Sequence, residues 1–333
     1  KYSGVELKGE LKMKNPLSIL LKNYYKWKII GAKRQLSGLS EEKSKIMLDL
    51  ESLGIDSKVD CTLYVNPKDE GLSVDIFAWR FREPINTYTL SRFISEQKQS
   101  IDAVVDIGSN IGYFPLVELA SGAQRVVAIE PVPETFAFLK KNLTRFSNSK
   151  TLNVAVSHRK GTLKMYVPTK LNLATVLTGA ALTNVKNRET SIKEVIEVPS
   201  LSLRDIIEMG DLKRANILVR MDVEGFEKNI IENLPKEVFA LSFELHSYIL
   251  GYESAFAVIE RLYKLGYRIQ TVVRESGGLS PIVKLFGIEK TLHFYAQATN
   301  KKRIIHNPSM TIIKDIIKQQ KECPHIFAVK CQR

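Results

Sequence analysis

No apolar run in this 333-residue chain approaches the ~20 residues that a membrane-spanning helix requires, which excludes a transmembrane segment of that kind. Cysteine is nearly absent as well. Cys61, Cys323 and Cys331 make an odd, sparse set, which excludes a disulfide framework and fits a reducing compartment. Cys323, His325 and Cys331 offer three soft metal ligands, but no C-x-x-C pair and no evident fourth ligand accompany them, so ordinary thiols are expected. The first residues carry lysine in place of the apolar core and cleavage site of a secretory leader. The cytoplasm is the expected location, with a peripheral position at a membrane surface as the variant that a basic end allows. No repeat or low-complexity segment is evident.

Acidic residues are scarce at the two ends. Residues 1–34 hold nine Lys or Arg against two acids and residues 300–333 hold eight against two, leaving 32 of each sign in residues 35–299. The net charge of +13 therefore belongs to the ends. Such ends attract nucleic acid, anionic lipid or an acidic substrate, or are only a solvated surface.

Hydrophobic spacing divides the chain into a basic N-terminal helical extension (1–60), a main domain (61–299) and a basic tail (300–333). Leu17, Leu20, Leu21 and Tyr24 recur at helical spacing with lysines between them, and a second helix is expected from Ser40 as N-cap to just before Gly54. Cys61–Val65 and Leu72–Ala78 read as a β-hairpin. From Ala103, apolar runs alternate with amphipathic stretches, the signature of a doubly wound, mostly parallel α/β sheet. The expected strands are Ala103–Ile107, Arg125–Ile129, Thr151–Val156, Ile217–Met221, Ala240–Phe243, Arg268–Val273 and Leu292–Ala296. Helices are expected at Tyr113–Ala120, Pro133–Phe146, Ser202–Met209, Phe226–Asn233 and Ser254–Leu265. Residues 169–199 read as a polar insertion over the site, and the tail as a helix capped by Ser309.

The strongest chemical signal is Val104-Val105-Asp106-Ile107-Gly108-Ser109-Asn110-Ile111-Gly112, followed after the next strand by Ile129-Glu130-Pro131. A strand enters a glycine-bearing turn that lets backbone approach a ligand, and a helix then begins with free N–H groups. Glu130 ends the second strand, where a carboxylate accepts hydrogen bonds from both ribose hydroxyls. The turn is D-x-G-x-N-x-G, not the G-x-G-x-x-G of dinucleotide sites. Asp106 would repel a pyrophosphate and favour a sulfonium cofactor with an α-amino group.

The sequence resembles the FkbM-type methyltransferases, which methylate hydroxyl oxygens of sugars and polyketide-like products. The matching residues are Asp106 to Tyr113, Glu130-Pro131, Asn153 to Ser157, Met221-Asp222-Val223-Glu224-Gly225 and Ser242-Phe243-Glu244-Leu245-His246. The resemblance implies a seven-stranded sheet of the class I kind and S-adenosylmethionine as cofactor. It places Asp106, Gly108, Ser109, Asn110, Gly112, Glu130 and Pro131 around that cofactor, with backbone near Val154, Ala155 and Val156 facing the adenine.

Asp222, Glu244 and His246 each follow an apolar strand at the carboxyl edge of the sheet, where ligands of open α/β sheets bind. They are the expected catalytic cluster. His246 is the natural base for an acceptor hydroxyl; alternatively, Asp222 and Glu244 hold Mg²⁺ that acidifies it. Glu224 and Glu227 read as acids of a first helical turn. Three functions remain open: O-methylation of a small-molecule, glycan or lipid-linked hydroxyl; RNA methylation with the basic ends on phosphates; and cofactor binding without catalysis.

Overall fold

The computed structural model describes residues 16–168, 192–319 and 323–331. Most of the polar insertion expected over the site lies outside the described residues. In chain order the elements are α1 (Pro16–Ser37), β1 (Lys45–Met47), β2 (Thr62–Tyr64), α2 (Leu72–Trp79), α3 (Pro84–Glu96), β3 (Ala103–Ile107), α4 (Tyr113–Ala120), β4 (Val126–Ile129), α5 (Pro133–Leu143), β5 (Ser149–Leu152), β6 (Ala155–Ser157), β7 (Gly161–Pro168) and β8 (Ile192–Ser202). They continue with α6 (Leu203–Met209), β9 (Ile217–Met221), α7 (Glu227–Glu232), β10 (Val238–Glu244), α8 (Ser247–Leu250), α9 (Tyr252–Lys264), β11 (Tyr267–Val273), α10 (Ser280–Phe286), α11 (Ile288–Thr299), β12 (Ile304–His306), α12 (Met310–Lys318) and β13 (His325–Lys330).

The main sheet runs β12-β11-β13-β10-β9-β3-β4-β5. From β10 to β5 every neighbouring pair is parallel, and β13 is antiparallel to both β10 and β11. Strand order reverses beside β3, which lies between β4 and β9, and this is the crevice where ligands of open sheets bind. Side chains alternate between two cores along each strand. Val104 and Leu218 enter one core with Phe114, Leu116 and Phe327, while Val105 and Val219 enter the other with Ile206, Ile259 and Ile317. Asp106 and Arg220 occupy the same register level on adjacent strands.

Several sequence expectations change. Leu72–Trp79 is a helix, not a strand; Leu72, Val74, Ile76, Ala78 and Trp79 are all buried, so it is apolar nearly all round and shows no helical stripe. The helix expected from Ser40 is replaced by two single 3-10 turns flanking β1, and Gly54, at φ +68°, ends the second. Leu292–Ala296 lies inside α11, whose Ile288 and Thr291 are buried at helical spacing. Two strands come from the tail instead, making eight in the main sheet where seven were expected: β12 pairs with β11 at the edge, and β13 inserts between β10 and β11. Thr151–Val156 breaks in two, because β5 stays in the main sheet while β6 joins β7 and β8 in a separate three-stranded sheet. In α12 the Ser309 cap is as expected, its hydroxyl accepting from the Ile312 N–H.

The first helix is also turned from the expected face. Tyr25 stacks on the buried Trp79, and Ala32 and Leu36 are buried with it. The opposite side exposes Ile19 (55%), Leu20 (64%), Tyr24 (41%), Trp27 (69%) and Ile30 (40%). No helix among the described residues is long and apolar enough to cross a membrane.

Because β13 is an inner strand, a chain ending at Gln319 should lose its cooperative thermal transition. Circular dichroism on that truncation tests it, and a melt within a few degrees of the full chain would show that β13 is dispensable.

Candidate active site

The turn after β3 is held by its own chain. The N–H groups of Gly108 and Ser109 both donate to the Ile129 carbonyl, at 3.0 and 2.9 Å, and the Asp222 N–H donates to the Ile107 carbonyl at 3.0 Å. The Ser109 hydroxyl donates to the Asp106 carbonyl and accepts from the Ile129 N–H, both at 2.9 Å. Ser109 thus ties β3 to β4. Gly108 has φ +80°, and a Cβ there would stand 2.1 Å from the Asp222 carbonyl oxygen. At Gly112, φ +95°, a Cβ would meet Leu139 Cδ1 at 3.1 Å. Both glycines are therefore required by left-handed backbone and close chain packing, whereas the sequence reading gave ligand approach as their reason.

Glu130 stands where expected, just past β4. One carboxylate oxygen accepts from the Asn110 N–H at 3.0 Å and the other from the Val132 N–H at 2.9 Å. Asn110 holds the turn at φ +50°. Asn153 donates to the carbonyls of Glu130 and Pro131, fixing that chain end against the Val154–Val156 segment. Val154 is half-buried, and Ala155 and Val156 are buried on β6. Burial pushes the Glu130 carboxyl up to about 7, against the two N–H donors. A buried acid raised in this way leaves the fold most stable below the ordinary glutamate range, and that contribution is lost as pH rises through about 7.

Asp106 is fully buried, and its charge is met by a residue that the sequence reading passed over. Arg220, on β9, donates to Asp106 Oδ1 at 3.0 Å and to Asp222 Oδ2 at 3.4 Å, with its guanidinium 3.9 Å from the Phe114 ring centroid. Burial raises the Asp106 carboxyl, with Arg220 opposing. Asp106 is thus one end of a buried ion pair and not a free negative charge. Its Oδ2 is buried with no hydrogen-bond partner among the described residues. The signal was available: an arginine between two apolar residues of a parallel inner strand faces a core and needs a partner there.

Asp222, Glu244 and His246 do come together. His246 Nε2 lies 3.9 Å from Asp222 Oδ1 and 3.8 Å from Glu244 Oε2. Two acids assigned only to a helical turn join them: Glu224 Oε2 is 3.4 Å from Nε2, and Glu227 Oε1 is 2.5 Å from Nδ1. Glu224 has φ +46° and Gly225 φ +97°, a left-handed bend between β9 and α7. Burial opposes a charge on His246, but the Glu224, Glu244 and Glu227 carboxylates outweigh it and raise the imidazole well above its usual value. Asp222 and Glu244 keep 24% and 20% of their side chains exposed, against 1% for His246. They are the most exposed members of the cluster.

On its far side the cluster meets a second set of buried charges. His325, paired with Glu244 across β13 and β10, places Nε2 3.7 Å from Glu83 Oε2, and Arg82 Nε lies 3.0 Å from Glu83 Oε1. Cys323 lies close enough to share a ligand group with Glu244 and His246.

Residues 106–269, which contain the turn and this cluster, match the family model of the methyltransferase FkbM domain. The chain carries an FkbM methyltransferase domain. The hexuronic acid methyltransferase AglP of Haloferax volcanii is 25% identical over 173 residues, 51% of this chain and 66% of that protein. The match thus spans slightly less than two thirds of that relative's length. Among solved structures, the O-methyltransferase from Bacillus cereus in complex with SAH is 12% identical, with 74% of this chain and 80% of that one covered at a TM-score of 0.34. The ribosomal protein L11 methylase from Lactobacillus delbrueckii subsp. bulgaricus is 10% identical, with 74% and 79% covered, also at 0.34. The FkbM match begins at Asp106, so α1, β1, β2, α2 and α3 precede it, and β13 of the same sheet follows it.

Arg220→Met should destabilise the FkbM domain by about 3–5 kcal/mol in urea unfolding, because it leaves buried carboxylates uncompensated. Adding Asp106→Asn should recover part of that loss. A loss under about 1 kcal/mol in the single variant would mean that the pair is not what holds β3 to β9 at this edge.

Proposed function

We propose that this protein is an S-adenosylmethionine-dependent O-methyltransferase acting on a sugar hydroxyl, with uronic acid residues of a glycan as the acceptor class. One observation carries the reading: within the FkbM domain, the cofactor turn and the carboxylate cluster abut, with no room for even a Cβ between Gly108 and the Asp222 carbonyl. A cofactor in the turn and an acceptor at the cluster would therefore be neighbours. The hexuronic acid methyltransferase similar to this chain supports the acceptor class.

The residues present fit the cofactor. The orphan Oδ2 of Asp106 lacks a donor, which an amino group supplies. Each Glu130 oxygen holds one N–H and retains a lone pair for a ribose hydroxyl. Asp106 and Glu130 would hold the two ends, with the Asn110–Gly112 turn between them and the Val154–Val156 segment beside the base. When bound, S-adenosylmethionine supplies an electrophilic methyl group. Glu244 or Asp222, as the exposed carboxylates of the cluster, would take the acceptor proton, while His246 positions the carboxylates by its contacts to Glu224, Glu227, Asp222 and Glu244. A placed base of this kind contributes about 10²–10⁴-fold.

A second observation favours a place for this chemistry. The outward face of α1 presents Ile19, Leu20, Tyr24, Trp27 and Ile30, with Lys22, Lys26 and Lys28 along its flanks. Large apolar side chains beside lysines, with Trp and Tyr among them, suit an anionic bilayer surface better than RNA, which offers no apolar phase. A peripheral position there would bring the site to lipid-linked glycans.

Calorimetry should show binding of S-adenosylmethionine and no comparable binding of NAD, and tighter binding of NAD would sink the reading. Since the raised Glu130 carboxyl must ionise to accept two hydroxyls, cofactor binding at pH 6 should release a proton, making the measured heat depend on the buffer. In Glu130→Gln that dependence should vanish and the affinity fall. Glu244→Gln should bind cofactor normally but turn over uronate-bearing glycan about 10²–10⁴-fold more slowly; unchanged turnover in both Glu244→Gln and Asp222→Asn would remove carboxylate base catalysis.

For the membrane surface, vesicles of phosphatidylglycerol should shift Trp27 emission to the blue and sediment with the protein, whereas phosphatidylcholine vesicles should not. Trp79 is buried and serves as the silent background. A Leu20→Ser/Ile30→Ser variant that sediments undiminished, or a dimer in solution that buries this face, would overturn the assignment.

A further inference from the structure

We propose that Asp222, Glu224 and His246 bind one divalent transition-metal ion, with Glu227 as the residue that positions the imidazole. The proposal deepens the methyltransferase reading, because the ion would lie where the acceptor hydroxyl is handled, but its geometry stands apart from that reading.

The three side chains place one ligand atom each within 4.8 Å of one another. His246 Nε2 is 3.4 Å from Glu224 Oε2 and 3.9 Å from Asp222 Oδ1. Ligand atoms each about 2.1 Å from a shared ion are separated by about 3.0–4.2 Å, depending on the angle between the bonds. Both distances fall in that window, so an ion would need only small side-chain adjustments.

The imidazole is held as a ligating imidazole is held. Its Nδ1 meets Glu227 Oε1 at 2.5 Å, and that oxygen also accepts from the Gly225 N–H at 3.0 Å, which leaves Nε2 facing Asp222 and Glu224. A carboxylate behind a histidine in this way fixes the ring's orientation and raises its basicity towards metal. Glu227 is fully buried in a helix of six residues, and its Oε2 has no hydrogen-bond partner among the described residues. Solvation does not explain an acid there; orientation of His246 does.

Charge points the same way. Four carboxylates, those of Asp222, Glu224, Glu227 and Glu244, lie within 4 Å of one ring, which offers at most a single positive charge. Arg220 reaches only Asp222 among them, at 3.4 Å. A divalent cation between Asp222, Glu224 and Nε2 would add positive charge at the point of closest approach.

The donor set selects the ion class. One imidazole with two carboxylates suits Mn²⁺, Fe²⁺ or Zn²⁺ better than Mg²⁺, which prefers an all-oxygen shell. The ligand set also differs from the pair Asp222 and Glu244 that the sequence offered for Mg²⁺, and Glu244 is left free to act on a proton. Coordinated to such an ion, an acceptor hydroxyl would lose its proton more readily.

The test uses the full chain, stripped with chelator and titrated with Mn²⁺ while electron paramagnetic resonance follows the free ion, and separately with Co²⁺ while visible absorption reports imidazole coordination. One Mn²⁺ per chain and a Co²⁺ absorption band are expected. Glu224→Gln and Asp222→Asn should weaken Mn²⁺ binding at least tenfold, and Glu227→Gln should weaken it by about 10–100-fold. In all three, S-adenosylmethionine binding by calorimetry should be retained, which separates failure of this proposal from failure of the methyltransferase reading. Should a variant not fold, the wild-type Co²⁺ spectrum still decides. Absence of Mn²⁺ and Co²⁺ binding at millimolar ion, or binding untouched by Glu224→Gln and Asp222→Asn, would overturn the site.

Discussion

The carboxyl edge of this sheet depends on the guanidinium of Arg220. Three strands and two functional regions converge there, and each brings an acid: Asp106 from β3 and Asp222 from the end of β9, with Glu244 from β10 close behind. Carboxylates in a dry interior repel one another and cost several kcal/mol each unless paired. Arg220 bridges the first two and rests on the Phe114 ring, so the turn that follows β3 and the bend that follows β9 are fixed relative to each other before any ligand arrives. The contact of Gly108 with the Asp222 carbonyl is the steric counterpart of that electrostatic tie.

The same constraint explains why the chain extends well beyond its FkbM domain. Acids at a sheet edge stay buried only if something covers them. Here α2, α3 and the residues between them do so: Arg82 and Glu83 sit in that connection, Tyr113 donates to the Arg82 carbonyl, and Glu83 reaches His325 on β13. Further out, Glu275 accepts from the N–H groups of Asn86 and Ser276, and burial pushes its carboxyl up to about 8. The segments before and after the matched region thus add Arg82, Glu83, Glu275 and His325 to the buried charges at this edge.

How far the sequence reported this depends on whether a signal was local. The βα rhythm from Ala103, the D-x-G-x-N-x-G turn, Glu130 at the strand end and the Asp222–Glu244–His246 cluster were all legible, because each rests on period-two burial and on residues at strand ends. What failed was non-local. β13 is six residues whose place between β10 and β11 nothing nearby encodes, and α11 took its expected role because Leu292–Ala296 is equally apolar. α2 misled because a helix buried on all sides shows no helical stripe. Glu227 looked like an ordinary acid of a first helical turn, and only the fold reveals that its neighbours leave it no water, whereas Arg220, set between apolar residues of an inner strand, did signal a buried partner.

Glu227 and Glu244 show how position divides the labour among chemically equivalent acids. Both lie beside the same ring, but Glu227 contacts Nδ1 through a fully buried side chain at the start of a helix, whereas Glu244 stands at a strand end with a fifth of its side chain exposed. The buried acid can act only through the histidine, by fixing its orientation. The exposed one can meet an acceptor. A cluster with one acid behind the ring and others in front separates holding from reacting, and the proposed methylation of a hydroxyl would need both at once. That division follows from the bend at Glu224 and Gly225, which turns the chain so that Asp222 and Glu224 face Nε2 while Glu227, one helical turn on, comes round to Nδ1.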